Sequence, residues 1–327
     1  MPSMREIKNR INSVNDTRKI TSAMYLIAST KMRKAKEGLD NTRPYFEALK
    51  KEIKRVFRTK EDIDNKYFYP AKGTRKTTSD TYGYLVITAD KGLAGAYNQS
   101  VLKEAMREIK NNADNKLFVV GEYGRHYFTA HNIAIEQSFL YTAQNPTLDR
   151  AGEIASVLLD LYDKGELSKI FVIYTDMVNS MSSVVAHQRL LPLSRGEFNE
   201  REDDDEDDWI DEGNDESKDV SFEFYPNLNN VLDAVIPSYL TGYIYSALVD
   251  SFCSEQNERM MAMDSANNNA GKLLDELSLE YNHVRQNAIT REITEVSSGA
   301  KAKRKKQELA KKKKIEALKV QEENAIQ

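Results

Sequence analysis

MDSANNNAGKLLDELSLEYNHVRQNA, residues 263–288, is the stretch that decides the architecture of this chain. Its apolar and small side chains recur in steps of three and four, close to the roughly 3.5-residue repeat with which one helix packs along another. We call these positions the seam: Met263, Ala266, Ala270, Leu274, Leu277, Tyr281, Val284 and Ala288. The alanines permit close approach, so the stretch predicts a long helix paired with a second helix.

The start of the chain predicts that second helix. Residues 3–58 contain no proline except Pro44 and no glycine except Gly38. Ser3, with Glu6 three residues later, predicts a capping box at the helix start. About 55 helical residues would extend roughly 80 Å, more than a small domain can bury, so the helix must protrude or pair. The apolar residues expected to face a partner are Ile7, Ile11, Val14, Ile20, Met24 and Ile27.

We place the start of the C-terminal helix at Pro237, because the first turn of a helix tolerates the missing N–H of proline. From there to Val296 no further proline occurs, and Gly242 and Gly271 are the only glycines. Two long helices at opposite ends of a chain favour an antiparallel pair, with the middle segment inserted between them.

The middle segment has a different pattern. Short apolar runs rich in β-branched residues occur at 84–88, 117–120 and 170–175. Such runs are typical of strands buried on both faces. Helical stretches at about 99–112, 122–131 and 147–164 lie between them, and this alternation predicts a βαβ sheet of about 110 residues. The fold class is therefore mixed α+β and α/β.

Charge is unevenly distributed, although the formal net charge is only −4. Residues 1–60 hold 16 basic and 6 acidic side chains, residues 197–219 hold 2 and 14, and residues 301–327 hold 10 and 4. This asymmetry indicates charged macromolecular partners. The expected organisation is an N-terminal coiled-coil helix (1–58), a linker (59–81), an α/β domain (82–195), an acidic disordered loop (196–220), a C-terminal coiled-coil helix (221–300) and a basic tail (301–327).

Several classes of protein are excluded by composition. Cys253 is the only cysteine, so there is no intramolecular disulfide and no cysteine-rich metal site. The start lacks the apolar core of a secretory signal. The longest uncharged run, 234–249, is shorter than the about 20 apolar residues of a spanning helix. We expect a soluble protein in the cytoplasm.

No catalytic, cofactor-binding or metal-binding residues are expected. The turn 90–98 (DKGLAGAYN) joins a strand to a helix but has neither dinucleotide nor P-loop spacing, so a turn that contacts a partner is favoured over a nucleotide site.

The acidic run could chelate divalent ions, and a solvated spacer is the favoured alternative. The basic tail could bind nucleic acid or an anionic membrane, and a generic electrostatic role is favoured. The histidines lack metal-ligand spacing with one another or with carboxylates: His126, His131, His187 and His283.

Basic residues follow an apolar group on the N-terminal helix. Lys31, Arg33 and Lys34 come shortly after Met24 and Ile27. Cations beside an apolar patch suit contact with an acidic protein surface, and a merely solvated face is the alternative.

Three motifs together resemble one known family. MREIKNRINSVNDTRKITSAMYLIASTKMRKA (4–35), ITADKGLAGAYN (87–98) and the segment from Ser254 to Ala300 are similar to the gamma subunit of the F-type ATP synthase. In the last segment, Ile289-Thr290-x-Glu292, Glu295 and Gly299-Ala300 keep the family's spacing. The likeness covers about residues 1–58, 82–193 and 222–300.

The resemblance implies a fold and a function. The two terminal helices would form an antiparallel coiled coil with an inserted Rossmann-like α/β domain. The chain would be the central-stalk rotor of a proton-translocating complex, on the cytoplasmic face of the bacterial cell membrane, and would supply no catalytic residues. Implied partners are the hexamer of alpha and beta subunits, the epsilon subunit and the ring of c subunits, with delta, a and b subunits in the same complex.

The resemblance also implies interface positions. It places them on the first helix, in the central turn and on the last helix: Met24, Lys31, Arg33, Lys34, Asp90, Lys91, Gly92, Leu93, Gly95, Arg259, Met260, Met263 and Asp264. Ser22 and Tyr25 stand where many members carry lysine, and Met261 replaces a small polar residue. Two other functions stay open at this point: a coiled-coil adaptor that binds nucleic acid, and a nucleotide-binding enzyme built on the α/β domain.

Overall fold

A computed structural model describes residues 3–59, 65–68, 80–112, 114–140, 143–179, 182–194, 224–225 and 227–324. They fall into two compact units. The terminal unit consists of residues 3–22 and 265–324, and the central unit consists of the described residues of 23–264. The acidic run 197–219 lies outside the described residues.

The described elements follow one another along the chain as α1 (Met4–Thr59), β1 (Tyr82–Ile87), α2 (Tyr97–Asn111), β2 (Asn115–Val120), α3 (Glu122–Ala130), β3 (Gln137–Phe139), α4 (Leu148–Asp163), β4 (Lys169–Asn179), β5 (Ser182–Leu191) and α5 (Leu228–Asn324). Both α1 and α5 contribute residues to both units.

The terminal unit contains the predicted capping box. The backbone N–H of Ser3 donates to Glu6 Oε2 at 2.8 Å, and the N–H of Glu6 donates to Ser3 Oγ at 3.3 Å. Ile7 on α1 and Leu277 on α5 are buried, with 2% and 4% of their surface exposed. The other seam positions of this unit, from 266 to 288, are all half-buried. The seam predicted for α5 is therefore confirmed.

The apolar face predicted for α1 is wrong at Ile20 and Ile27, whereas Met24 is half-buried, as Val14 is. Ile20 is 60% exposed and Ile27 is 56% exposed. Steps of seven residues from Ile7 lead through Val14 to Thr21, which is half-buried, and then to Ala28, which is buried. In a helix pair, the positions that face the partner recur about every seven residues, even where the side chain there is polar or small. Isoleucines at the neighbouring positions are therefore exposed.

In the terminal unit, polar side chains take the place of the expected apolar contact. The Thr21 hydroxyl donates to Asn267 Oδ1 at 2.6 Å, and Asn267 Nδ2 donates to the Ser22 hydroxyl oxygen at 2.9 Å. Further along α5, every described side chain from 289 to 311 is exposed.

The central unit contains a five-stranded sheet in the order β3-β2-β1-β4-β5. β1 pairs in parallel with β2 and with β4, β2 pairs in parallel with β3, and β5 is antiparallel to β4. The three predicted strands are confirmed as β1, β2 and β4, and the three predicted helices as α2, α3 and α4. β3 and β5 were not predicted.

Residues 65–68 differ from the polar linker expected over 59–81. Tyr67 and Phe68 are buried, with 3% and 4% of their surface exposed. The N–H of Leu193 donates to the Tyr67 carbonyl at 2.8 Å, and Tyr162 OH donates to the carbonyl of Lys66 at 3.1 Å. Hydrogen bonds to its main-chain carbonyls and the burial of its two aromatic side chains therefore hold this short segment against the rest of the central unit.

The start predicted for the C-terminal helix is wrong. α5 begins at Leu228, and Pro237 lies inside it. Leu232 and Ile236 on the turns before the proline are buried, with 1% and 0% of their surface exposed. Burial of these side chains offsets the hydrogen bond that a proline removes from a helix interior.

Within the central unit, α1 and α5 run in opposite directions. The Sγ of Cys253 lies 3.9 Å from the carbonyl oxygen of Met32. Further along α1, the ring of Phe46 fills the space above the earlier residue Gly242 of α5. A Cβ at Gly242 would lie only 2.0 Å from Cδ1 of Phe46, so this position requires glycine.

We expect Gly242→Ala to destabilise the protein by about 1–3 kcal/mol, because the ring of Phe46 must shift. Gly271→Ala is the matched control in the same helix, since a Cβ there meets no atom within 4 Å. That substitution should raise stability by up to about 1 kcal/mol, through helix propensity alone. Urea unfolding followed by circular dichroism gives both values. Equal effects of the two substitutions would contradict the packing assigned to Gly242.

Asp250, on α5, has a largely buried carboxyl group, and this makes stability depend on pH. Burial raises the pKa of its carboxyl from 3.8 to about 6, and the charge of Asp176 acts in the same direction. The hydroxyl of Ser246 at 3.3 Å, Lys36 and Arg43 oppose the shift. Because the folded-state pKa is raised, the folded state binds more protons than the unfolded state between about pH 4 and pH 6. The free energy of unfolding therefore falls as pH rises through this window.

We expect Asp250→Asn to stabilise the protein at pH 8 by about 1–3 kcal/mol, and to have a much smaller effect below pH 4. Thermal unfolding across this pH range measures the difference. Asp16→Asn is the control, because the Asp16 side chain is 69% exposed and its pairing with Lys19 contributes little. A pH-independent effect of Asp250→Asn would contradict the assigned burial.

Candidate interface site

Three segments of the central unit meet around a cavity of about 260 Å³, which we call the junction cavity. They are residues 24–31 of α1, the turn 90–93 after β1, and residues 252–259 of α5. Its lining also includes one residue before α4, and in full it comprises Met24, Ile27, Ala28, Lys31, Asp90, Lys91, Gly92, Leu93, Gln144, Phe252, Glu255, Gln256 and Arg259.

The turn after β1 is held in a defined conformation. Asp90 Oδ1 accepts a hydrogen bond from the N–H of Glu122 at 2.9 Å, and Asn98 Oδ1 accepts one from the N–H of Ala89 at 3.0 Å. Leu93 has a φ of 62°, in the left-handed region that costs a branched side chain about 1 kcal/mol or more. Its side chain is nevertheless 67% exposed. The turn therefore presents an apolar side chain outward, at a conformational cost.

Gly95 permits the close approach of α5 to this turn. Its φ is 52°, and a Cβ at this position would lie 2.7 Å from Glu258 Oε2. A larger residue would be strained in its backbone and would also displace the Glu258 carboxylate. Gly95 is therefore favoured both by the positive φ and by the space that the Glu258 carboxylate occupies.

Arg259 connects α5 to the turn. Its Nη1 lies 2.6 Å from Glu255 Oε1, and its Nη2 donates to the carbonyl oxygen of Gly92 at 3.1 Å. The Arg259 and Glu255 side chains are only 11% and 8% exposed. Burial raises the pKa of Glu255, while the charge and hydrogen bond of Arg259 act against that rise. A buried ion pair on α5 thus holds the main chain of the turn.

Further charges surround this ion pair. Asp90 Oδ2 is buried and has no hydrogen-bond partner among the described residues. The charges of Asp90 and Lys31 both act on Glu255, with opposite effects on its pKa. Lys31, Lys91 and Leu93 are exposed. Exposed cations beside exposed apolar side chains make this a surface suited to binding another macromolecule.

The structure brings together seven of the thirteen residues expected from the sequence. Those that line the junction cavity are Met24, Lys31, Asp90, Lys91, Gly92, Leu93 and Arg259. Gly95 lies in the same turn, beside Glu258.

The other five expected residues do not line the cavity. Arg33 and Lys34 are exposed on α1, and Asp264 is exposed on α5. Met260 is half-buried, and Met263 is buried with 5% of its surface exposed.

Sequence reasoning missed five residues of the lining: Ala28, Gln144, Phe252, Glu255 and Gln256. For Glu255 the sequence does carry a signal, because it lies four residues before Arg259 on one helix, the spacing at which opposite charges pair. The pattern did not reveal that the pair is buried.

We expect Arg259→Ala to cost about 3–5 kcal/mol, because it leaves the Glu255 carboxylate buried without its partner. Adding Glu255→Gln to Arg259→Ala should restore part of this loss, since the unpaired charge is then removed. Lys19→Ala is the control: that ion pair is 77% and 69% exposed, and its loss should cost less than about 1 kcal/mol. Denaturant unfolding of Arg259→Ala, Glu255→Gln, the double variant and Lys19→Ala forms the test. If the losses of unfolding free energy caused by the two single substitutions simply add in the double variant, the proposed coupling between Arg259 and Glu255 is contradicted.

Comparison with known proteins identifies the family. A family model described as ATP synthase matches residues 3–302. The ATP synthase gamma chain of Caldanaerobacter subterraneus subsp. tengcongensis is 42% identical over 301 residues, which cover 90% of this chain and 98% of the relative. The ATP synthase gamma chain of Ruminiclostridium cellulolyticum is 38% identical, over 92% of this chain and 98% of the relative.

A solved structure has a similar fold. A chain in the structure titled Euglena gracilis mitochondrial ATP synthase, OSCP/F1/c-ring, rotational state 3, aligns with a TM-score of 0.61. The alignment covers 91% of this chain and 94% of that chain, at 16% sequence identity. Together with the sequence matches over nearly the whole length, these findings establish that the chain belongs to the family of ATP synthase gamma chains.

Proposed function

We propose that this chain is the central-stalk rotor subunit of an F-type ATP synthase. By rotating, it would couple proton flow through the membrane sector to ATP synthesis or hydrolysis at the alpha/beta catalytic sites. The observation that carries the proposal is the match to gamma chains over nearly their full length. The chain would act as a non-catalytic subunit of the proton-transporting ATPase.

The proposed shaft is an antiparallel coiled coil of α1 and α5. In its favour are the half-buried seam of α5 and the opposite directions of the two helices within the central unit. A paired coil resists twisting better than a lone helix. The sheet with its parallel strands and intervening helices supports the proposal that the inserted domain is Rossmann-like.

The first proposed partner is the hexamer of alpha and beta subunits. On α1, Leu26 and Ile27 are 65% and 56% exposed, and the cations Lys31, Arg33 and Lys34 follow them on exposed positions. Apolar surface in water is unfavourable by about 25 cal/mol per Å², and acidic loops of a partner would neutralise the cations. We propose this surface as the contact with the hexamer.

The C-terminal part of α5 supports the same proposal. Ile289, Ile293 and Val296 are 48%, 64% and 73% exposed. They lie in the part of the helix where every described side chain faces solvent. A surrounding hexamer would cover them.

Further partners are proposed for the turn after β1, part of which lines the junction cavity together with Lys31. The turn 90–95, with exposed Leu93 and Lys91, would contact the epsilon subunit and the ring of c subunits. The delta, a and b subunits would belong to the same complex, and nucleic acid would not be a partner. No helix of the described residues is long and apolar enough to cross a membrane. We propose a peripheral position on the cytoplasmic face of the bacterial membrane, held there by the complex.

The proposed mechanism requires asymmetry rather than catalytic chemistry. Three equivalent catalytic interfaces would meet three different faces of the shaft. A contact that is stronger in one catalytic-site conformation than in another shifts the populations of these conformations. The comparisons lend no support to the adaptor that binds nucleic acid. Binding of labelled nucleotide to the purified chain would revive the nucleotide-binding enzyme.

The first test is purification of the tagged chain from native membranes. We expect alpha, beta and epsilon subunits to co-purify, together with ATP hydrolysis. Recovery of nucleic acid without ATPase subunits would contradict the proposal and favour the adaptor.

Within the purified complex, we expect the triple charge reversal Lys31→Glu, Arg33→Glu and Lys34→Glu to lower ATP-driven proton pumping several-fold. The reversed charges would repel the acidic loops of the hexamer. The control is the reversal of three exposed lysines on α2 and after α4: Lys103→Glu, Lys110→Glu and Lys164→Glu. Pumping is measured in inverted vesicles beside the ATPase rate. Equal effects of the two triples would contradict a specific role for the α1 cations.

A further inference from the structure

A cluster of possible metal ligands lies in the central unit, away from the junction cavity. Glu104 and Glu108 are one turn apart on α2, and His187 lies on β5. One ligand atom from each of the three residues lies within 4.8 Å of the other two. The sequence gives no sign of the cluster, because the histidine and the carboxylates are far apart along the chain.

We propose that Glu104, Glu108 and His187 bind one divalent transition metal ion of the zinc class. Carboxylate oxygen and imidazole nitrogen are common ligands of Zn²⁺, at about 2.0–2.2 Å. Three protein ligands leave the fourth tetrahedral position to a water molecule.

The separation of the ligand atoms fits this assignment. Two ligands of one tetrahedral zinc ion lie roughly 3.4 Å apart, as follows from those bond lengths. His187 Nδ1 lies 3.9 Å from Glu108 Oε2, which is too far for a hydrogen bond but close to the separation around a shared ion. A small rotation of either side chain would bring both atoms to coordination distance.

Arg107 leaves room for an ion. Its guanidinium binds Oε1 of Glu104 and Oε1 of Glu108, and its side chain is 64% exposed. Glu108 Oε2 faces His187 instead. Each carboxylate has a second oxygen that could bind an ion, and one guanidinium does not balance two carboxylates.

The environment of His187 keeps its ring in place. The ring lies against Phe171 and Tyr84, with centroids 5.0 Å and 6.3 Å away. Its Nε2 is buried and has no hydrogen-bond partner among the described residues. The packing therefore holds the ring with Nδ1 on the side of Glu108.

The proposed ion would fasten α2 to β5. β5 is the edge strand that pairs only with β4 among the described strands, and it is antiparallel to it. A ligand from the strand and two from the helix would link them through one ion. Binding would then stabilise the folded state by an amount that grows with the logarithm of the free metal concentration above the Kd.

The experiment is a titration of the metal-free full chain with Zn²⁺, and separately with Co²⁺, whose visible absorption reports tetrahedral coordination. We expect one tight site and a tetrahedral Co²⁺ spectrum. His187→Gln and Glu108→Gln should each weaken binding by at least about tenfold and abolish that spectrum. Circular dichroism checks that each variant is folded.

Two controls separate this site from others. His126→Gln removes the other histidine paired with a glutamate, 3.0 Å apart on α3, and should leave Zn²⁺ affinity unchanged. Deletion of 197–219 removes the acidic run and should abolish only weak additional binding. If Zn²⁺ does not bind, or if binding survives His187→Gln and Glu108→Gln, the proposal is overturned. Loss of the tight site on deleting 197–219 would overturn it equally.

Discussion

A helix as long as α1 exposes its apolar stripe to water unless another helix covers it. The two units of this protein meet that requirement with the same pair of helices, α1 and α5. In the terminal unit the covered side chains include Ile7 and Leu277. In the central unit the helices pack so closely at Gly242 that a Cβ there would collide with the ring of Phe46. All other features depend on this pairing, because it brings residues from opposite ends of the chain to the same turn of the sheet domain.

The junction cavity shows how the pairing of α1 and α5 positions individual side chains. Arg259 lies on α5, and its guanidinium binds both a buried carboxylate of its own helix and the carbonyl of Gly92. A charged group with so little exposure is stable only with its partners in place. The turn therefore keeps its position relative to α5, and with it the strained, outward-facing Leu93. In the proposed rotor, a force on the turn would reach the helix through this ion pair.

Periodicity predicted most of the fold, and its failures have physical causes. The α5 seam followed from regular spacing, and β1, β2 and β4 followed from apolar runs buried on both faces. β5 was missed because its sequence, SSVVAHQRLL, neither alternates apolar with polar residues nor forms one continuous apolar run, and β3 has only three residues. Ile20 and Ile27 were assigned to the packed face of α1 because they are apolar, whereas the spacing of seven selects Thr21 and Ala28. At the site, the resemblance supplied Arg259 and the turn, but burial of Glu255 and the approach of His187 to Glu108 depend on tertiary contacts.

The polar contact between Thr21, Ser22 and Asn267 has a consequence for axial alignment. An apolar seam of similar side chains can slide by one repeat at little cost, because one apolar contact replaces another. Here a slide would separate Asn267 from both hydroxyl groups and leave a part-buried amide unsatisfied, which costs about 1–3 kcal/mol. The hydrogen bonds therefore fix the register of the two helices, much as one buried asparagine does in a parallel dimer. When the shaft transmits torque, these hydrogen bonds restrict sliding of one helix along the other.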